Sequence, residues 1–150
     1  MTRPTERRNS LWLLGAFPRT EDYTLRILIA DDHEIVRKGL CFILESHRNT
    51  EICGEASNGQ DAVEKATELN PDLIILDVTM PGLDGFAAAR RIRTFLPEVP
   101  ILMLSMHEGP HVVREARQAG AQGFVSKTDA GHVLLKAVDA IFQGQTFSPS

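Results

Sequence analysis

From Leu25 to about Gln145, short apolar runs alternate five times with longer amphipathic stretches. The runs are Arg26-Ile27-Leu28-Ile29-Ala30, Glu51-Ile52-Cys53-Gly54-Glu55-Ala56, Leu73-Ile74-Ile75-Leu76, Ile101-Leu102-Met103-Leu104 and Gly123-Phe124-Val125. A run of Ile, Leu and Val with no polar face reads as a strand buried on both sides. The second run is more mixed and reads as an edge strand.

The stretches between them carry helical spacing. In Glu34–Ser46 the stripe is Ile35, Val36, Leu40, Ile43 and Leu44, and in Gly59–Leu69 it is Ala62, Val63, Ala66 and Leu69, after a Ser57-Asn58-Gly59 start signal. Asp84 suits the cap of a helix reaching about Phe95, with Pro97 and Pro100 beyond it. Pro110–Ala119 reads as a short helix stopped by Gly120. Gly131–Gln143 carries the strongest stripe: Val133, Leu134, Ala137, Val138, Ile141 and Phe142. Strand followed by helix, five times over, predicts an α/β fold: a doubly wound, five-stranded parallel sheet. Chemistry in such a sheet gathers at the carboxyl ends of the strands.

The chain has 150 residues, enough for one domain with a core that needs no disulfide or metal. Its formal charge is −4. An acidic domain of this kind is a poor general ligand for nucleic acid, whose affinity comes mostly from neutralising phosphates. Cys41 and Cys53 form no CxxC pair and read as small buried thiols, in keeping with a cytoplasmic protein. The organisation expected is a leader over 1–24, a domain over 25–145, and the start of a linker or tail over 146–150. The leader's apolar run, Leu11 to Phe17, is too short to span a bilayer, so no membrane role is expected.

The strand ends carry the chemistry. Strand one ends in Asp31-Asp32, strand three in Asp77, strand four in Ser105, and strand five is followed by Ser126-Lys127. Parallel topology brings all of these to one edge. Three close carboxylates repel one another unless a cation joins them. Mg²⁺ is the expected cofactor, as a hard ion that takes oxygen ligands and keeps several waters. Each residue alone has a plainer reading: Asp32 as the cap of the first helix, Asp77 as a turn residue, Ser105 as an ordinary strand end, Lys127 as a solvated lysine. The set is more specific than its members. The histidines, His33 included, show no metal-ligand spacing in the sequence.

These motifs resemble the response-regulator receiver domain of two-component signalling, a flavodoxin/CheY-like fold. The resemblance rests on Ile27 to Glu34, Asp72 to Gly85, Ile101 to Ser105 and Gly120 to Lys127, and covers about Leu25 to Gln145. The DDHEIVRKGL and GAQGFVSK segments and the Phe142-Gln143-Gly144-Gln145 ending are closest to the NarL/FixJ branch, which usually continues into a LuxR-type helix-turn-helix domain. The resemblance implies that Asp77 accepts a phosphoryl group from a sensor histidine kinase or a small donor. It implies Mg²⁺ held by Asp32, Asp77 and the Thr79 carbonyl, with Asp31 acting through water. It gives Lys127 and Ser105 to the phosphoryl oxygens and Phe124 to the switch position, where many relatives have Tyr. It makes Thr79 and His107 candidates for tuning the phosphate's lifetime. It implies no enzyme beyond self-phosphorylation and slow self-dephosphorylation, homodimer formation on phosphorylation, and DNA contact only through a domain outside this sequence.

Three rivals fit less well. A haloacid-dehalogenase-type phosphohydrolase wants DxD after strand one, where this chain has adjacent aspartates. A flavodoxin-like carrier needs a Ser/Thr/Gly-rich phosphate loop there, so no organic cofactor is expected. A pseudo-receiver would have lost an acidic or lysine position, and all are present. A stand-alone receiver acting through protein contacts remains the alternative to a transcriptional regulator.

Overall fold

Parallel pairing in the order β2-β1-β3-β4-β5 builds the sheet from β1 (Leu25–Ala30), β2 (Thr50–Ala56), β3 (Leu73–Asp77), β4 (Ile101–Ser105) and β5 (Gly123–Ser126). The connections are α1 (Glu34–Glu45), α2 (Gly59–Leu69), α3 (Gly85–Phe95) and α4 (Pro110–Gln118), with α5 (Ala130–Phe142) following β5. This is a computed structural model, and it describes residues 24–47 and 49–149. The expected leader lies, except for Thr24, outside the described residues.

The four strands other than β2 are mostly apolar because both of their faces are covered. Leu28, Ala30, Ile74, Leu76, Ile101 and Met103 point into one core with α2, α3 and α4. Ile27, Ile29, Leu73, Ile75, Leu102 and Leu104 point into a second core with α1 and α5. Each fully buried Ile or Leu contributes about 1.5–3 kcal/mol. The edge strand β2 is half exposed, as its mixed sequence suggests. A bulge pairs Leu28 with Gly54 after Ile27 with Ile52, skipping Cys53. Cys53 is therefore half-buried while Cys41 is buried, so only one thiol matches the expectation.

The helix signals act locally as read. Asn58 accepts the Asp61 N–H at 2.8 Å, and Asp84 accepts the Ala87 N–H at 2.9 Å. At the first helix two readings fail. The N-cap is His33, not Asp32, because the chain takes one more extended residue before turning. Ile35 is 87% exposed and Val36 is also exposed, whereas Leu40, Cys41 and Leu44 are buried. Ile35 stands nine residues, or about two and a half turns, from Leu44, which puts it on the opposite face.

The far end of the sheet is tied by a residue with no sequence signal. Arg93 in α3 donates to the carbonyls of Leu96 (3.0 Å), Val99 (2.5 Å) and Gly120 (2.6 Å), and to the Gln122 amide oxygen (2.9 Å). That same Gln122 oxygen accepts the Ile101 N–H at 2.8 Å. Gly120, at φ 99°, could carry no side chain here, since a Cβ would fall 2.7 Å from Arg93 Nε. Beyond α5, Phe147 pairs in parallel with Gly123: its N–H reaches the Gln122 carbonyl at 3.0 Å and its carbonyl accepts the Phe124 N–H at 2.8 Å. The packed structure thus continues past residue 145.

Candidate functional site

The winding of the sheet reverses between β1 and β3, where crossovers leave to opposite faces and open a crevice at the strand ends. Asp31 and Asp32 leave β1 into that crevice, and Asp77 ends β3 beside them. Lys127 arrives from the end of β5. Its Nζ lies 2.8 Å from Asp77 Oδ2 and 2.9 Å from Asp31 Oδ2. Asp31 is wholly buried, Asp77 is buried, and Asp32 sits at the exposed rim.

Backbone geometry fixes these carboxylates. Asp31 Oδ1 accepts the His33 N–H at 2.9 Å, and Asp77 Oδ1 accepts the Thr79 N–H at 3.2 Å. Arg37, one turn into α1, donates to the Asp31 carbonyl at 2.8 Å and to Glu55 on β2. Behind Asp77, the Gly85 N–H donates to the Val78 carbonyl at 2.8 Å. A Cβ on Gly85 would lie 2.1 Å from the Asp77 carbonyl oxygen, so α3 starts this close only because the residue is glycine.

Charge is unbalanced here, with three carboxylates facing one ammonium. Burial, helped by the neighbouring Asp31 charge, pushes the Asp77 carboxyl up to about 6 despite Lys127. Burial opposes the Lys127 charge as well, but hydrogen bonds and attraction from Asp31 and Asp77 outweigh it and raise that group. Asp31 Oδ2 has the Lys127 ammonium at 2.9 Å as its one close partner among the described residues. A buried carboxylate oxygen in that condition, with two further carboxylates at hand, suits a hard divalent cation.

The other expected residues divide. Ser105 is buried at the end of β4, and its Oγ accepts the His107 N–H at 3.0 Å. The Ser105 carbonyl accepts the Lys127 N–H at 2.8 Å, which links the two strand ends. Phe124 is buried in the α2–α4 core. The side chains of Thr79 and His107 are exposed. The sequence motifs contain Gly85, Arg37 and His33, but sequence reasoning gave none of them a role in this region. His33 lies with Asp31, Asp32 and Asp77 in a group whose ligand atoms fall within 4.8 Å of one another, a proximity in space that the sequence spacing of the histidines did not signal. The one available signal was position, directly after the strand-end aspartates.

The sequence matches the response regulator receiver domain over residues 27–139. The chain belongs to that family. This receiver is 36% identical over 126 residues to the response regulator UvrY of Escherichia coli, covering 84% of this chain and 58% of that protein. It is 35% identical over 127 residues to the response regulator VraR of Staphylococcus aureus, covering 84% of this chain and 61% of that one. The chain thus spans about three-fifths of the length of these curated relatives. Among solved structures, a LuxR-family two-component response regulator from Aurantimonas matches with a TM-score of 0.80 at 35% identity, over 84% of this chain and 91% of that one. The relatives place the receiver among regulators of the NarL/FixJ type. Receivers are regulatory domains rather than classical enzymes, and they hold Mg²⁺ in an acidic pocket that the Asp31, Asp32 and Asp77 cluster matches. No helix among the described residues is long and apolar enough to cross a membrane.

Proposed function

We propose that Asp77 is the phosphoacceptor of a response regulator, charged by a sensor histidine kinase and able to react with small donors such as acetyl phosphate. The observation that carries this reading is the buried Asp77 carboxylate, held between the Lys127 ammonium and the Asp31 and Asp32 carboxylates at the sheet's switch point. An Asp77 carboxylate oxygen attacks phosphorus in line as the bond to the donor's nitrogen or oxygen breaks, and the electron pair of that bond leaves with the donor. Positioning and charge neutralisation do most of the work in such a transfer.

Asp31, Asp32, Asp77 and the Thr79 carbonyl would hold Mg²⁺, with Asp31 acting through water. When bound, the ion supplies positive charge that offsets the carboxylates and the incoming phosphoryl oxygens. Lys127 moves its ammonium from Asp77 to a phosphoryl oxygen. Ser105 gives up the His107 N–H and turns its hydroxyl to another. Phe124 has no phenol, so any switching at its position works through packing alone. Thr79 and His107 flank the path of water and set the lifetime of the mixed anhydride. This is self-phosphorylation and slow self-dephosphorylation, not turnover.

The organisation that fits is a leader over 1–24 and a receiver that begins at 25 and runs past 145 through the Phe147 pairing, with the linker after it. Output runs through homodimer formation and a helix-turn-helix DNA-binding domain of the kind the branch carries, in the cytoplasm. The test is intact mass after incubation with acetyl phosphate and Mg²⁺. Wild type gains one phosphoryl group and Asp77→Asn gains none. No gain from acetyl phosphate or a cognate kinase would establish a pseudo-receiver instead, and a modified variant would move the acceptor elsewhere.

A further inference from the structure

The phosphoacceptor reading gives His33 no task, yet its imidazole faces the pocket. Nδ1 lies 3.1 Å from Asp32 Oδ1 and 3.4 Å from Asp31 Oδ1. Two ligands at about 2.1 Å and right angles around a six-coordinate ion stand about 3.0 Å apart. The spacing of Nδ1 and the carboxylate oxygens therefore approximates edges of a coordination shell. The second observation is Asp31 itself: wholly buried, facing the same cluster, with the Lys127 ammonium at 2.9 Å as the one partner of Oδ2 among the described residues.

Local structure explains why the ring is available. His33 is the N-cap of α1 and makes no side-chain cap hydrogen bond. Its own N–H is already given to Asp31 Oδ1. The ring is thus not used to satisfy the helix's free N–H groups. It is 67% exposed, so an ion entering from solvent meets it at the rim beside Asp32.

We propose that His33 is a nitrogen ligand of this pocket and sets its choice among divalent ions. The proposal rests on the acidic cluster being a metal site. Mg²⁺ favours oxygen donors and water, whereas imidazole suits later first-row ions such as Co²⁺. An all-oxygen pocket gains little from that change of ion, but a pocket with one imidazole gains a bond that Mg²⁺ scarcely uses.

The test is calorimetric titration of the full chain with MgCl₂ and with CoCl₂. It compares wild type, His33→Ala and Asp32→Asn, the last separating the pocket from stray histidines. His33→Ala should weaken Co²⁺ by about tenfold or more while Mg²⁺ changes by less than about twofold. Proton NMR of the wild-type Co²⁺ complex should show a hyperfine-shifted, exchangeable imidazole Nε2–H that is missing from both variants. Equal changes for both metals, no change for either, or no shifted resonance overturns the proposal. Failure of Mg²⁺ to bind wild type removes the metal site itself, and the proposal with it; normal Mg²⁺ binding with no Co²⁺ selectivity removes His33 alone.

Discussion

Lys127 and Asp77 are fifty residues apart in the chain and meet at 2.8 Å in a pocket that holds two further carboxylates. The pair is a consequence of parallel topology, since β3 and β5 flank β4 and end on one edge. Lys127→Met removes the one ammonium touching Asp31 and Asp77. The metal-free protein should lose about 3–5 kcal/mol at pH 8. The loss should shrink at pH 5, where a carboxyl group neutralises itself by taking up a proton. Urea midpoints at the two pH values measure the difference.

Asp77 itself predicts a pH dependence with a definite sign. Its carboxyl group is pushed from 3.8 to about 6, chiefly by burial. The folded state therefore holds this proton where the unfolded chain has lost it. The stability it contributes is full below about pH 4 and fades as pH rises through about 6. Asp77→Asn lacks this dependence. The variant should exceed metal-free wild type by about 1–3 kcal/mol at pH 7.5 and lose that advantage toward pH 4. Paired urea titrations across this range check it, and an advantage growing as pH falls would contradict it.

Gly85 and Gly39 should respond in opposite directions to the same methyl group. At Gly85 a Cβ would lie 2.1 Å from the Asp77 carbonyl oxygen, whereas at Gly39 in α1 nothing lies within 4 Å. Gly85→Ala should displace the loop carrying Asp77 and cut phosphoryl uptake together with stability. Gly39→Ala should stabilise by about 0.5–1 kcal/mol and leave uptake alone. Thermal melts and intact-mass time courses on both variants decide it.

Arg93→Lys should be costly although charge is kept. One ammonium cannot reproduce the fork that reaches Leu96, Val99, Gly120 and Gln122. The expected loss is about 2–4 kcal/mol, from buried carbonyls left without donors. Urea unfolding measures it, and a loss below about 1 kcal/mol would mean that water replaces the guanidinium.

What could be read from the sequence follows from which physics is local. Ile74 and Leu102 declare buried strands by themselves, and Asn58 and Asp84 act on N–H groups three residues away. Asp31, Asp77, Ser105 and Lys127 were legible because parallel strands must bring their ends to one edge. Arg93 was not: it sits in Arg90-Arg91-Ile92-Arg93, a string that looks like a solvated helix face. Its partners are carbonyls, which every residue has, so no side-chain pattern marks them. Ile35 misled for the opposite reason, since helical spacing leaves a stripe's edges undefined until the docking angle is known. Gly85 and Phe147 depend on how close one backbone comes to another, which composition does not record.

The Arg93 tie has a mechanical consequence. It holds β4 and β5 together at Ile101 and Gln122, while Ser105 and Lys127 at their other ends have one backbone hydrogen bond and the acidic pocket between them. The two strands stay paired from Leu102–Gly123 to Ser105–Ser126, and β4 is paired to β3 as far as Leu104, so the strands themselves form a stiff base and movement falls to the residues after Ser105. Hydrogen exchange at the Ile101 amide should stay slow whatever happens at His107, because the change there begins beyond the paired strands.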